Sequence, residues 1–191
     1  MSHATHTPPP GDDRRSFMTK AAAVVIGGFV AIVPLGAGLA TFLDPIFRKS
    51  KVGSSLKVAS LDALPADGVP RRFPVIDDMV DAWNRYPAQP VGAVYLRRMP
   101  ESDEVHAFNA ICPHAGCFVD FNTAAGDEGL FQCPCHDSNF MPDGARYQPE
   151  KCASPRDLDS LEVDAEKLAA GEIWVEFKNF LAGHAEKEPI A

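Results

Sequence analysis

The sequence predicts an all-β domain that follows one N-terminal transmembrane α-helix. Three observations favour this architecture: an uncharged apolar run near the N-terminus, many short β-rich runs after it, and turn residues between those runs. The 17 prolines and 14 glycines of the 191-residue chain indicate many turns and few long helices. A chain of this length has room for one domain and an additional segment.

The composition excludes several classes of protein. Hydrophobic residues make up 46% and charged residues 23%, which are ordinary values for a chain that folds. Acidic residues outnumber basic residues by 26 to 18, so the chain lacks the basic excess of a nucleic-acid-binding protein. The five cysteines are too few for a disulfide-rich scaffold and are odd in number, so they must differ in role.

The N-terminal residues resemble an export signal followed by a membrane anchor. Residues 1–20 contain the pair Arg14 and Arg15 directly before an apolar run, which resembles a twin-arginine signal. Residues 21–43 carry no charge and as a helix would span about 35 Å, enough to cross a membrane. A cleaved signal peptide is the alternative, because residues 38–40 form a small-x-small pattern.

A polar linker at residues 44–55 separates the predicted helix from the β domain. It includes the stretch RKSKVGSS, which is rich in charged and small residues and lacks apolar periodicity. A hinge that lets the domain move and a plain loop beside the membrane are both compatible with this composition. The twin-arginine pattern places the N-terminus in the cytoplasm and the β domain on the periplasmic side of a bacterial inner membrane.

The β domain is predicted over residues 56–191, which contain 23 acidic and 12 basic residues. Turn residues separate its short β-rich runs, as in a small sandwich or barrel-like domain. Residues 77–86 (DDMVDAWNRY) are predicted as a short helical insert. The β-rich runs are residues 56–60, 72–76, 91–98, 105–111, 118–121, 158–163 and 173–177.

Two short boxes contain four of the five cysteines and two of the six histidines. The first box is CPHAGC at residues 112–117, and the second is CPCHDS at residues 133–138. Both follow strand-like runs and contain turn residues, so we expect them on loops. Thiolate sulfur and imidazole nitrogen bind zinc or iron, and each box can bring one of each to a metal. A structural zinc site is one interpretation, although zinc fingers usually place their cysteines and histidines in separate halves.

The two boxes resemble, over their full length, the Cys-x-His-x-x-Cys and Cys-x-Cys-His-x-Ser motifs of the Rieske family. The resemblance implies an all-β Rieske-type domain of stacked antiparallel sheets with two cluster-binding loops and one [2Fe-2S] cluster. It implies that Cys112 and Cys133 bind one iron and that His114 and His136 bind the other.

The rest of the chain resembles the Rieske subunits of cytochrome bc-type complexes, which combine a membrane helix, a linker and a disulfide-bearing β domain. In this chain the implied disulfide joins Cys117 and Cys135. Residues 152–161 (CASPRDLDSL) resemble the proline loop that covers the cluster, with Pro155 retained. We expect Cys152, the fifth cysteine, to be a buried small residue near the cluster.

The resemblance implies the redox subunit of a quinol–cytochrome c oxidoreductase, which is not catalytic alone. Such a subunit takes one electron from a membrane quinol and passes it to a c-type cytochrome, beside a cytochrome b-type subunit in a dimeric complex. His136, or otherwise His114, would bind the quinol hydroxyl and accept its proton. The alternative is the Rieske small subunit of a periplasmic oxidase of the arsenite oxidase type. Rieske ferredoxins and oxygenase components generally lack the disulfide and the anchor.

Phe140 predicts that the cluster potential lies below the top of the family range, which spans roughly −150 to +300 mV. Hydrogen bonds to the sulfurs raise the potential because they stabilise the more negative reduced state. Ser138 can donate such a bond, whereas Phe140 stands where higher-potential relatives have a tyrosine. The substitution Phe140→Tyr should therefore raise the midpoint potential in a redox titration, and an unchanged or lower potential would contradict this role.

Overall fold

A computed structural model describes residues 12–47, 53–80 and 84–190 of the chain. Contacts divide the chain into two compact units, Met1–Ser50 and Lys51–Ala191. The expectations for residues 1–11, for positions 48–52 of the linker and for positions 81–83 of the insert lie outside the described residues.

The first unit contains a long helix, α1, at Asp12–Phe47. It extends beyond the predicted span of residues 21–43 at both ends, and its stretch Arg14–Asp44 is long and apolar enough to cross a membrane. Apolar side chains are exposed along it, as expected for a helix surrounded by lipid. The hydroxyl of Thr41 donates to the carbonyl of Ala37, so the helix itself satisfies this polar group.

The second unit contains three antiparallel sheets, which confirms the predicted fold class. The two-stranded sheet pairs β1 (Ser54–Ser60) with β9 (Glu172–Phe177). The four-stranded sheet has the order β2 (Arg71–Val80), β3 (Arg85–Arg98), β4 (Val105–Asn109) and β8 (Ser160–Leu161). The three-stranded sheet has the order β5 (Asp120–Asn122), β6 (Leu130–Cys133) and β7 (Ser138–Phe140). A short helix, α2 (Ala165–Ala169), precedes β9.

Strand β3 contributes to two hydrophobic cores because its side chains alternate between the two faces of the sheet. Val94 and Leu96 lie in a core that also contains Ile173 of β9. Tyr95, between them, lies in a second core with Phe131 of β6. The four-stranded sheet is therefore the middle layer of the domain, with the other two sheets on its opposite faces.

Aromatic side chains bind the three-stranded sheet to the middle layer. The ring of Phe131 packs edge-on against Tyr95 and Phe108 of the middle layer, with centroid distances of 4.9 and 6.0 Å, and against Phe121 of its own sheet at 5.0 Å. The buried Tyr95 hydroxyl donates to the carbonyl of Val119 over 3.1 Å, so its polar end is also satisfied. These contacts fix the sheet that carries the second cysteine-rich box.

The predicted helical insert at residues 77–86 is wrong. In the described part of this segment, β2 continues to Val80 and β3 begins at Arg85, and these two residues pair in an antiparallel hairpin. Asp78 and Arg85 form an ion pair across the two strands. The apolar residues Met79 and Val80 are exposed, so no buried face supports a helix here.

The linker is shorter at its C-terminal end than the predicted span of residues 44–55. Ser54 and Ser55 lie in β1, where they pair with Phe177 and Glu176 of β9. The polar composition suggested a loop, but edge-strand pairing through the backbone does not require apolar side chains.

Truncation of a residue in the first core should destabilise the domain strongly. Leu96 is fully buried in the middle layer, so Leu96→Ala should lower the free energy of unfolding by about 2–5 kcal/mol. Chemical denaturation of the full chain in detergent measures the change. The matched control is Ile76→Ala in the neighbouring strand, where the side chain is 43% exposed and a much smaller loss is expected. Equal losses in the two variants would contradict this assignment of the core.

Candidate metal centre

The first loop (residues 110–119) connects β4 to β5 and contains the first box. The N–H of Cys112 donates to the carbonyl of Cys117 over 2.7 Å, which closes a tight turn. Gly116 permits this turn because its φ of 76° lies in the left-handed region, and its N–H donates back to the Cys112 carbonyl. Cys112 and Cys117 therefore lie opposite each other, at the two ends of one turn.

The second loop (residues 133–138) connects β6 to β7 and contains the second box. Cys133 and Ser138 form the last strand pair before the turn. Asp137 has a φ of 52°, a conformation that aspartate tolerates better than most residues. The turn leaves Cys133 and Ser138 buried at its base and His136 exposed at its tip.

A disulfide between Cys117 and Cys135 joins the two loops, with their Cα atoms 6.8 Å apart. The structure thus contains the disulfide that the sequence resemblance implies. The sulfur of Cys133 lies within 4.8 Å of both disulfide sulfurs. Because sulfurs in a disulfide carry no thiolate, Cys133 is the one of these three that can bind a metal as a thiolate.

The imidazole rings of His114 and His136 lie beside each other, one from each loop. Their centroids are 4.8 Å apart and their planes are inclined by 85°. Nδ1 of His114 is buried and has no hydrogen-bond partner among the described residues. A buried polar atom without a partner costs about 1–3 kcal/mol, so this nitrogen has the character of a ligand atom.

The thiols of Cys112 and Cys133 are both buried at the base of the site. Burial, together with the neighbouring Cys133, raises the pKa of the Cys112 thiol to about 11, although a backbone hydrogen bond at His114 opposes the shift. A thiolate at this position therefore needs a cation beside it. Coordination to a metal supplies that cation and deprotonates the thiol.

Comparison with known families identifies the domain that contains these two loops. A model of the Rieske [2Fe-2S] domain matches residues 55–162, which is more than half of the chain. This chain belongs to the Rieske [2Fe-2S] domain family. The match covers both loops, the disulfide and the segment that follows β7.

The chain is similar to two iron-sulfur subunits of known complexes, and it also aligns with one solved structure. The menaquinol:cytochrome c reductase iron-sulfur subunit of Geobacillus thermodenitrificans is 30% identical over 147 residues, which cover 77% of this chain and 84% of that protein. The cytochrome b6-f complex iron-sulfur subunit of Synechococcus elongatus is 33% identical over 147 residues, which cover 75% of each. The cyanobacterial plasma membrane Rieske protein of Synechocystis PCC 6803 aligns with a TM-score of 0.40 and 22% identity, over 65% of this chain and 99% of that one.

The Rieske domain carries one [2Fe-2S] cluster, and the residues in its two loops fit that group. The two adjacent imidazoles and the two buried thiols described above match the kind and number of ligands that a Rieske cluster would require. The hydroxyl of Ser138 is buried and has no partner among the described residues, so it is free to donate to a cluster sulfur. Phe140 is also fully buried, and it pairs across the strands with Phe131.

The segment at residues 152–161, whose sequence resembles a proline loop, lies next to β7. Pro155 is half-buried, and the buried Ser154 hydroxyl donates to the Arg156 carbonyl over 2.6 Å. Cys152, which we expected to be buried, is instead partly exposed; it packs against the second core, with its sulfur 3.7 Å from the Asn139 carbonyl oxygen. Cys152 is a free cysteine in the structure and lies outside the group of three neighbouring sulfurs.

Sequence reasoning missed the buried Arg156 in this segment. Its guanidinium forms a bidentate ion pair with the buried Asp159, with N–O distances of 2.8 and 2.9 Å. The i, i+3 spacing of an arginine and an aspartate was present in the sequence, but such pairs are common on exposed surfaces. Burial, which only the fold reveals, distinguishes this pair.

Loss of the disulfide should destabilise the Rieske domain by more than loss of the free thiol. Cys135→Ser opens a bridge between residues 18 apart in sequence and should lower the free energy of unfolding by about 3 kcal/mol. Denaturation under non-reducing conditions measures this change. Cys152→Ser is the matched control and should change stability little. An equal loss in the free energy of unfolding for the two variants would show that the disulfide does not stabilise the pair of loops.

Proposed function

We propose that this chain is the electron-transfer subunit of a quinol–cytochrome c oxidoreductase. The observation that carries the proposal is the similarity to a menaquinol:cytochrome c reductase iron-sulfur subunit over 84% of that protein. That match is longer than the match to the Rieske domain model, so the likeness is not confined to the cluster-binding fold. The N-terminal apolar helix supports the same assignment, because it can anchor the domain to a membrane that contains the quinol.

The proposed ligands of the cluster are Cys112 and Cys133 for one iron and His114 and His136 for the other. Two buried thiols and two adjacent imidazoles on opposed loops support this set. When bound, the cluster supplies a one-electron acceptor whose potential is raised by neutral imidazole ligands. The Cys117–Cys135 disulfide holds the two loops together around it.

The exposed His136 is the proposed contact for the quinol hydroxyl, with His114 as the second candidate. His136 lies at the tip of its loop, whereas His114 is half-buried. A ring nitrogen beside added negative charge holds a proton more tightly, so a histidine here can take the quinol proton as the electron leaves. The partners of this step are a cytochrome b-type membrane subunit and a membrane quinol.

The domain then moves on its linker to a c-type cytochrome, in a complex that we propose to be dimeric. In this proposal the twin-arginine segment keeps the N-terminus in the cytoplasm of a bacterial cell and the Rieske domain in the periplasm. The excess of acidic residues in the domain suits a cytochrome with a basic surface. The linker consists of the residues between α1 and β1.

Purification of the chain from membranes tests this function. A potentiometric EPR titration and identification of the copurifying hemes should reveal a Rieske signal together with a multi-heme cytochrome b. Copurification with a molybdenum subunit and no cytochrome b would instead assign the chain to an oxidase of the arsenite oxidase type.

A stiffer linker should slow electron delivery without altering the cluster. Replacement of Ser50 and Lys51 by proline should slow cytochrome c reduction by about tenfold, because proline-rich linkers are semi-rigid and restrict domain movement. The EPR spectrum of the reduced variant should match that of the wild type. Glycine at the same two positions is the control and should preserve turnover. Unchanged turnover in the proline variant would rule out movement on the linker.

A further inference from the structure

The chain that follows β9 folds back into a small loop of its own, which we call the C-terminal hairpin (residues 178–190). The N–H of Leu181 donates to the carbonyl of Glu188, and the N–H of Ile190 donates to the carbonyl of Asn179, both within 2.9 Å. Nothing in the proposed electron-transfer function uses this hairpin. The hairpin nevertheless contacts the first loop of the candidate metal centre.

The base of the hairpin is attached to the residue from which the first loop begins. Asn109, at the end of β4, is buried, and its side-chain amide donates to the carbonyl of Lys178 over 2.7 Å. Its side-chain oxygen accepts the N–H of Ile111, in the first loop, over 3.0 Å. One buried side chain therefore joins the hairpin to the start of the loop that contains Cys112 and His114.

The tip of the hairpin touches the ligand-bearing part of the first loop. The N–H of Gly183 donates to the carbonyl of Pro113 over 2.8 Å. Gly183 has a φ of 79°, and a Cβ placed there would lie 3.6 Å from the carbonyl oxygen of His114. A glycine at this position thus brings the hairpin backbone against the backbone of a proposed iron ligand.

Arg156 fastens the hairpin from the opposite side. Besides its ion pair with Asp159, its guanidinium donates to three hairpin carbonyls, those of Leu181, His184 and Glu186. A buried guanidinium is costly unless its donors are satisfied, so these bonds define where the hairpin must lie. Because Arg156 directly follows Pro155, it links the proline loop to the hairpin.

We propose that the C-terminal hairpin is a positioning element for the first loop, and that Arg156 is the positioning residue that holds the hairpin in place. Through this hairpin the proline loop and the backbone at Pro113 and His114 are coupled by protein contacts alone. Disruption of the fastening leaves the disulfide intact but frees the backbone that orients the His114 ring. The proposal rests on the proposed ligand role of His114 and is independent of the quinol and cytochrome partners.

Arg156→Gln in the full chain tests the fastening. Amide hydrogen exchange in a peptide covering residues 111–118 should become about tenfold faster, because the loop opens locally. The EPR spectrum of the reduced variant should shift from that of the wild type. The matched control is Arg146→Gln, which removes the same charge in the same region but breaks an ion pair with Asp157 and a 3.5 Å bond to the Ser154 carbonyl, neither of which involves the hairpin. This control should leave both exchange and the spectrum unchanged.

A second variant tests the contact between the hairpin and the first loop if Arg156→Gln does not fold. Gly183→Ala keeps the Arg156 ion pair but strains the backbone, whose φ is 79°, at the residue whose N–H donates to the Pro113 carbonyl, so it should produce the same two changes. Gly171→Ala is its control, because it places the same kind of backbone strain, at a φ of 82°, in a turn that contacts neither the hairpin nor the first loop in the hydrogen bonds of the described residues.

Two results would overturn the proposal. One is that the Arg156 and Gly183 variants match their controls in exchange and in EPR spectrum. The other is faster exchange with an unaltered spectrum, because the hairpin would then support the loop without orienting a ligand. A wild-type chain with no Rieske signal would refute the proposed ligand set itself, so the two failures are distinguishable.

Discussion

The disulfide between the two loops is the constraint on which the site depends. Cys117 closes the turn of the first loop, and Cys135 lies near the tip of the second, so one bond fixes two turns that belong to different strand pairs. The two imidazoles, one from each loop, lie beside each other because these turns are held together. Without the disulfide, the two loops would be less restricted, and ordering them around the cluster would cost conformational entropy.

The layered sheets hold those loops to a rigid base. Alternation along β3 sends Val94 and Leu96 to one core and Tyr95 to the other, so a single strand ties the cluster-bearing sheet to the rest of the domain. Phe131, two residues before Cys133 in the chain, packs against aromatic rings from the middle layer. The ligand loops are therefore extensions of a packed scaffold, as expected for sites that must keep their geometry.

Sequence reasoning recovered the boxes and most strands because both depend on local patterns. The cysteine and histidine spacing is complete within each box, and the β-rich runs coincide with seven of the strands. Strands β6 and β7 adjoin the second box and were not among the predicted β-rich runs, and the exposed hairpin end at Met79 and Val80 shows no buried face among its described residues. Arg156 was missed because its ion pair with Asp159 resembles a common surface pair and its other partners are backbone carbonyls 25 to 30 residues away, which leave no pattern in the sequence.

The ligand set is the central claim, and pulsed EPR of the reduced full chain labelled with 15N-histidine tests it most directly. The account predicts hyperfine coupling from two histidine nitrogens, with one coupling lost when His114 is replaced and none lost when His106, whose ring pairs with Glu104, is replaced. A spectrum without histidine coupling, or no signal from a metal-loaded protein, would contradict the account.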